Sequence, residues 1–280
     1  MQKILFALLF ISSIAFAQKY TYKYSIGSFE DATSFHINAA GFIFITDAGN
    51  NQILKIDSLG KSIKESGGYG WQEGQFDYPA DIFATPLSVY VADKNNHRIE
   101  RFDKDLNFVS SLTTRDNEDP NSRFGYPMGC VISNQGDMFI LDSENKRIVK
   151  YDMFGNYIQN FGGYDYGRYA LHAPTSISVD QRNNIYVLDD KRVLTFDLFG
   201  NGIGENISPE ALSSLKIVYN YLTINSNNNI YLFDLNKGFG KAEKLNVDMG
   251  DSAGDIKASF MFNSKLYVLT SKKIVVFQKP

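Results

Sequence analysis

Four aspartates recur along the sequence at intervals of about 40 to 50 residues, each at the end of a short apolar run. They are Asp47, Asp93, Asp142 and Asp189. Three of them are followed closely by an arginine, at Arg98, Arg147 and Arg192. A carboxylate and a guanidinium across a tight turn can form charge-assisted hydrogen bonds, whereas a ring of carboxylates alone could bind a central cation. Because the arginines match the aspartates, we predict structural pairs and no metal site here.

Aromatic residues are concentrated in three glycine-containing segments, residues 67–79, 114–127 and 162–174, which we call the rim loops. Flat apolar rings with polar hydroxyl groups suit sugars, peptides or aromatic ligands. We therefore predict a ligand-binding surface on these loops. Its candidate residues are Tyr69, Trp71, Tyr78, Tyr126, Tyr164, Tyr166, Arg168 and His172.

The elements that must position these residues are short strands. Residues 137–163 read as three strands (MFILD, RIVKYD and YIQNFG) separated by two polar turns, and related patterns begin at residues 43, 89, 185, 230 and 266. A further strand such as PTSISV, residues 174–179, precedes the pattern. Six units of four short strands are typical of a β-propeller. In such a fold, the loops leading into each blade and the turns between its second and third strands line one face.

The repeated motifs Pro-x-x-Ile, Asn-Ile-Tyr-Val, Asn-Asn-His-Arg-Ile and Phe-Asp resemble the NHL repeat, most closely at Asn96, His97 and Arg98. The resemblance covers nearly all of residues 18–280 and implies one all-β domain, a six-bladed β-propeller. It further implies that the repeated Asp and Arg tie each turn to the neighbouring blade. It also implies that Phe76 and Phe124 fill the space between blades. The resemblance is specific for the fold and does not imply an activity.

The two ends of the chain are predicted to close this propeller. Residues 20–26, YTYKYSI, alternate as a strand, while the last unit, residues 258–277, supplies only three strands. Since a radial arrangement closes only if no blade is incomplete, we predict that residues 20–26 form the outer strand of the sixth blade.

The remaining units are assigned from the same pattern. Blades one to five are predicted at residues 34–68, 79–112, 127–162, 174–204 and 219–245. In blades five and six, Asp234 and Thr270 are taken as the counterparts of the recurring aspartate. Residues 208–215, SPEALSSL, predict one or two helical turns, because Ser208 could cap a helix that has Pro209 at its first position.

Two enzyme families of similar architecture provide an alternative. Peptidyl-amidoglycolate lyases resemble this fold and use three histidines around a channel metal; His172 in a rim loop is suitably placed, but His36 lies within a strand and His97 belongs to the repeat turn. Calcium-dependent lactonases need converging Glu, Asn and Asp, for which Asp81 and the acidic loop at residues 116–119 are the available oxygen donors. We therefore predict no cofactor, with zinc or calcium in the central channel of a metal-dependent lyase or hydrolase as the alternative.

Composition and targeting restrict the function further. Residues 1–17, MQKILFALLFISSIAFA, predict a signal peptide that is too short to span a membrane, so export to the periplasm or the extracellular space is expected. The formal net charge of −3 argues against a nucleic-acid partner. The single cysteine, Cys130, is predicted to be a small buried apolar residue. No G-x-S-x-G, phosphate-binding loop or H-E-x-x-H motif occurs. The sequence thus predicts an exported, monomeric, non-catalytic binding module for a protein, peptide or glycan.

Overall fold

Short runs of alternating apolar residues form strands throughout the chain. The computed structural model describes residues 19–238, 242–252 and 255–279, which form an all-β propeller without an α-helix. The strands are β1 (Lys19–Ile26), β2 (Ala32–Ile37), β3 (Ile43–Asp47), β4 (Gln52–Ile56), β5 (Ser62–Gly67), β6 (Pro79–Ala84), β7 (Ser88–Asp93), β8 (Arg98–Asp103), β9 (Phe108–Thr113), β10 (Pro127–Ile132), β11 (Met138–Asp142), β12 (Arg147–Tyr151), β13 (Tyr157–Phe161), β14 (Pro174–Val179), β15 (Ile185–Asp189), β16 (Arg192–Phe196), β17 (Gly202–Ile207), β18 (Ser214–Val218), β19 (Tyr221–Asn225), β20 (Ile230–Asp234), β21 (Glu243–Val247), β22 (Ala258–Phe262), β23 (Lys265–Leu269) and β24 (Ile274–Gln278). Short 3₁₀ turns lie at Pro120–Ser122, Gly167–Tyr169, Leu235–Lys237 and Gly250–Ser252.

The strands form five sheets. Four are antiparallel four-stranded meanders, β2–β5, β6–β9, β10–β13 and β14–β17. The fifth has eight strands in the order β18-β19-β20-β21-β1-β24-β23-β22. The sequence instead predicts six separate sheets. The difference arises because β1 pairs on both of its edges.

Strand β1 joins the two ends of the chain. It pairs antiparallel with β24, from Thr21 opposite Gln278 to Ile26 opposite Ile274. It also pairs parallel with β21, through Lys19 opposite Asn246 and its neighbour Tyr20 opposite Val247. The predicted pairing of the N-terminal strand with the last unit is therefore confirmed, and the additional pairing with β21 is a feature that the repeat pattern does not contain.

The first strands of the units form a closed ring. They contact one another in the order β2, β6, β10, β14, β18, β22 and back to β2. The apolar core lies between neighbouring units, as in the edge-to-face contact of Phe35 with Phe260, whose ring centroids are 4.7 Å apart. Phe76 and Phe124 are fully buried in two of these inter-unit clusters, which confirms their predicted positions. Cys130 is buried, as predicted, and burial raises the pKa of its thiol.

The fifth unit differs from the prediction. Its four strands are β18 to β21. Asn225, at the end of the second strand, pairs with the first residue of the third strand and is therefore the counterpart of Asp47. Asp234, the predicted counterpart, ends the third strand instead. In the sixth unit the counterpart of Asp47 is Leu269, and not Thr270 as predicted. The prediction for the fifth unit was wrong because that unit lacks the turn residues that mark the others, so its third strand was aligned with the second strands of the other units.

The predicted helix at residues 208–215 is also wrong. Residues 208–213 are irregular, and residues 214–215 already belong to β18, which pairs with β19. The Glu210 carboxylate accepts hydrogen bonds from Asn229 Nδ2 and the Tyr231 hydroxyl instead of supporting a helical first turn. Tertiary pairing has therefore overridden the local helix signal.

The predicted signal peptide, residues 1–17, lies outside the described residues. Within the part of the chain that is described, no helix has the length and apolar character required to cross a membrane.

Candidate functional site

The rim loops and the turns between second and third strands meet at one edge of the propeller. Asn96 Nδ2 in the turn after β7 donates to Gly70 O in the first rim loop at 2.8 Å, and Ser143 Oγ in the turn after β11 donates to Tyr126 O at 2.6 Å. These contacts confirm that both kinds of segment lie on the same face, which we call the rim face.

The recurring aspartates hold the loops in place. Asp93 accepts from Asp77 N and Arg98 Nε, both at 2.8 Å. Asp142 accepts likewise from Gly125 N and Arg147 Nε, both at 3.1 Å. All four recurring carboxylates are buried. Each carboxylate therefore binds the segment that leads from the preceding unit into its own unit.

The other two aspartates follow the same rule. Asp189 accepts from His172 N at 2.9 Å and from Arg192 Nη2. Asp47, which has no matching arginine, accepts from Asp31 N at 2.8 Å. The carboxylates are thus engaged by backbone amides and guanidinium groups, which makes them structural acceptors.

The arginines clamp the rim loops through backbone carbonyls. Arg98 donates to Trp71 O at 2.8 Å and Gln75 O at 2.6 Å. Arg147 donates to Arg123 O at 2.8 Å. Arg192 donates to Ala170 O, also at 2.8 Å. Hydrogen bonds to charged groups contribute roughly 1.5–3 kcal/mol each, so these clamps give the loops a defined conformation.

Two candidate tyrosines lie where one unit meets the next. Tyr78 and Tyr126 each precede a proline and have positive φ angles of 63° and 44°, which is strained for a side chain of this size. Tyr78 N donates to Asn51 Oδ1 at 2.8 Å, and Tyr126 N donates to His97 Nδ1 at 3.0 Å. Both acceptors belong to the preceding unit. Each tyrosine is 40% exposed and is therefore held at the junction with one face towards solvent.

The remaining aromatic candidates differ in exposure. Trp71 is 76% exposed and Tyr164 is 97% exposed, and Tyr69 is also exposed. Tyr166 is only partly exposed because it packs against the core between the third and fourth units. Large exposed aromatic side chains on clamped loops are typical of interaction surfaces.

Arg168 is exposed beside this surface. Its guanidinium lies over the Tyr169 ring, 4.7 Å from the centroid, and Nη2 donates to the Tyr169 hydroxyl at 2.9 Å. The side chain is thus a cation presented on an aromatic support.

The three histidines have different surroundings. His36 is enclosed by Phe83 and Phe260, with ring centroids 4.8 and 5.5 Å away, and burial lowers its pKa to about 3. His97 accepts from the Tyr126 amide, and burial followed by the nearby charge of Arg115 lowers its pKa. His172 is exposed, with Nδ1 2.7 Å from Arg192 Nη2. No group of three or more His, Cys, Asp or Glu suited to a metal ion occurs among the described residues.

The axis of the ring contains an ion pair. Lys216 Nζ in β18 contacts Asp81 Oδ1 in β6, and Ser34 Oγ in β2 donates to the same carboxylate oxygen. Strands β6 and β18 are three units apart around the ring in either direction, so the pair spans the axis. Asp81, the oxygen donor considered for calcium, is therefore already paired with an ammonium group.

One buried residue of the rim region has no counterpart in the sequence-based predictions. Glu100, in β8, is completely buried below the first rim loop, where it accepts from Gly74 N at 3.2 Å. Aligning the six units by their strand pairing would have revealed it, because the corresponding residues are apolar.

No family model matches the chain. The chain is 33% identical to the protein brain tumor of Drosophila melanogaster over 45% of its own length and 12% of that protein. It is 31% identical to the B-box type zinc finger protein ncl-1 of Caenorhabditis elegans, over 34% of its own length and 16% of that protein. It is 28% identical to the probable peptidyl-alpha-hydroxyglycine alpha-amidating lyase pgal-1 of C. elegans, over 49% of its own length and 41% of that protein. The matches thus span less than half of each relative.

Solved structures of lyases have the same fold. A streptogramin B lyase superimposes with a TM-score of 0.63 at 13% identity, covering 89% of this chain and 79% of that chain. Virginiamycin B lyase from Staphylococcus aureus superimposes with a TM-score of 0.61 at 14% identity, covering 88% and 80%. At such identities the likeness concerns the fold alone. Together with the repeated units, these similarities support an NHL-like β-propeller fold.

Proposed function

We propose that this chain is an exported, non-catalytic binding module that presents its rim face to a protein partner and requires no cofactor. The observation that carries the proposal is the clamping of aromatic loops by Arg98, Arg147 and Arg192, which leaves Trp71 and Tyr164 exposed on a fixed backbone. Ordering a loop before binding lowers the entropy lost on association. Similarity to NHL-repeat proteins favours a protein as the partner.

The propeller in this proposal has six blades and is a monomer. The closed ring of six first strands favours six blades, since each first strand begins one radial unit. In this interpretation the eight-stranded sheet consists of a fifth blade, β18–β21, and a sixth, β22–β24 with β1, which touch through the short parallel pairing of β1 with β21. Export rests on the signal-peptide pattern of residues 1–17, with the periplasm or the extracellular space as the destination.

The experiment is a binding screen followed by matched substitutions. Mature protein would be screened against a displayed peptide library, secreted proteins and a glycan array, and dissociation constants would be measured for every hit. We expect protein or peptide hits and a roughly tenfold or greater loss of affinity for Trp71→Ala or Tyr164→Ala, since aromatic anchors dominate interfaces. Phe154→Ala is the control, because Phe154 is 81% exposed on the turn between β12 and β13, at the opposite end of that unit.

The same screen can contradict the proposal. Unchanged affinity in both rim variants would remove the rim face from consideration, and exclusive glycan hits would replace the protein partner. Unfolding curves for each variant would separate loss of binding from loss of the fold.

A metal-dependent lyase or hydrolase is the second candidate, favoured by the relative named as a probable amidating lyase. In that case His172 and a rim tyrosine would lie at the channel mouth, with zinc or calcium bound there. Metal analysis of the purified protein together with turnover of a peptidyl-hydroxyglycine would support it. The Lys216–Asp81 pair at the ring axis argues against a bound cation at the level of Asp81, because its carboxylate is already paired with an ammonium group.

A further inference from the structure

Glu100 is a buried carboxyl group with only one of its oxygens engaged. Oε1 accepts from Gly74 N and lies 3.2 Å from Arg98 Nη2. Oε2 is buried and has no hydrogen-bond partner among the described residues. A buried anionic oxygen without a partner is costly, so a proton on Oε2 would remove that cost while Oε1 keeps both donors.

The fold does not require a carboxyl group at this position. Glu100 is the third residue of its strand and pairs with Val91. The residues in the same register of the other units are Leu54, Val149, Leu194, Leu232 and Val276. All five are apolar, so Glu100 serves something specific to the second unit.

What is specific to this unit is the loop above Glu100. Gly74 and Trp71 belong to the first rim loop, and Trp71 O and Gln75 O accept from Arg98. Glu100 thus contacts the loop directly through Gly74 and indirectly through Arg98. Lifting the first rim loop off Glu100 and Arg98 would therefore break these contacts and move the segment that carries Trp71.

We propose that Glu100 is a proton-operated latch on the first rim loop: with Oε2 protonated the loop is seated on Glu100 and Arg98, and loss of the proton favours an open, hydrated loop. If Glu100 regulates partner binding in this way, that role rests on the function proposed above. In that role, acidification would fix Trp71 for binding and a rise in pH would release it.

The surrounding charges and the burial of Glu100 determine the pH range in which it loses its proton. Arg98 in the same strand attracts the anionic form, whereas Asp93 in β7 and Glu73 in the loop repel it, and Ser111 opposite in β9 is uncharged. Burial outweighs the attraction and raises the pKa of Glu100 to about 7. Since the exposed group titrates near 4.3, the seated loop binds the proton more tightly than the open loop, and linkage requires that deprotonation favour opening.

Trp71 provides a direct readout, because it is the only tryptophan of the chain. Because Trp71 is already 76% exposed, the fluorescence anisotropy of Trp71 and the Gly74 amide resonance would be followed between about pH 5.5 and 8.5 without any partner. We expect the anisotropy to fall and the Gly74 resonance to shift in a one-proton transition with a midpoint at about 7. Glu100→Gln, which mimics the protonated form, should abolish the transition, and Glu73→Gln on the same loop should retain it.

A second variant keeps the test decisive if Glu100→Gln folds poorly. Glu100→Leu copies the residue of the first unit, Leu54, and should also abolish the pH transition, because leucine has no proton to lose. A transition that persists in the Glu100 variants, or a Gly74 resonance that does not titrate in the wild type, would overturn the latch. Because the pH titration needs no ligand, its outcome is independent of the rim-face binding tested by Trp71→Ala.

Discussion

Lys216 and Asp81 form an ion pair across the axis of the ring, although 135 positions separate them in the sequence. Both side chains are buried, and Ser34 is the further donor to the Asp81 carboxylate. The pair links two units that are not neighbours in the ring order.

Removing one member of this pair should be more damaging than removing both. Lys216→Met leaves the Asp81 carboxylate buried without its cation, and we expect a loss of roughly 3–5 kcal/mol in the free energy of unfolding. The double variant Lys216→Met/Asp81→Leu should recover much of that loss. Denaturant titration of the full cycle would measure the coupling, with Lys104→Met, which breaks an exposed pair with Asp105, as a control expected to change stability by less than about 1 kcal/mol. Additive losses would contradict this prediction.

His36 should make the protein sensitive to acid. Its folded pKa of about 3 lies below the ordinary value of 6.5, so the stabilisation is fully present above pH 6.5 and is lost as the pH falls towards 3. We expect the free energy of unfolding to fall by roughly 2–3 kcal/mol from pH 7 to pH 4 on this account. His36→Val, which copies Val131 at the same register, should flatten the profile relative to the wild type. An identical slope in the two proteins would refute it, and His172→Val at an exposed site is the matched control.

The closing strand offers a comparison between neighbours. Tyr20 is 1% exposed and packs in a cluster that includes Ile230 and Phe277, from the two halves of the eight-stranded sheet. Tyr20→Ala should cost about 3–5 kcal/mol, as for other large core residues. Tyr22→Ala, in the same strand but 61% exposed, should cost less than about 1 kcal/mol. Thermal and denaturant unfolding would measure both, and equal losses would show that β1 is not fixed by its buried face.

The arginine clamps can be tested on the second rim loop. Arg147→Lys retains the charge but cannot reproduce the guanidinium contacts to Asp142, Pro120 O and Arg123 O. We expect faster amide exchange and easier proteolysis within residues 114–126, with a loss of no more than about 2 kcal/mol in global stability. Arg115→Lys, at an exposed pair with Glu144, should leave the exchange pattern unchanged. Protection that is equal in both variants would assign the order of this loop to other contacts.

Strand positions could be predicted from the sequence because they depend on local alternation, whereas the inter-unit positions of Phe76 and Phe124 were implied by the resemblance to the NHL repeat. The pattern MFILD predicts β11, and Phe124 before Gly125 is buried as predicted. The fifth unit was misaligned because Asn225 replaces the recurring aspartate and no local residue type marks the strand before it.

The features inside the ring were less accessible. The Lys216–Asp81 pair depends on the distance across the axis, which no local pattern encodes. Glu100, by contrast, is visible once the six units are aligned by register, since a carboxyl group stands where Leu54 and Val149 are apolar.

The double pairing of β1 has a consequence for the order of assembly during synthesis. Strand β1 is synthesised well before both of its neighbours, β21 and β24. Until β24 has been synthesised, β1 lacks its antiparallel partner and the ring remains open. Such distant partners slow folding, so closure of the ring is a late step.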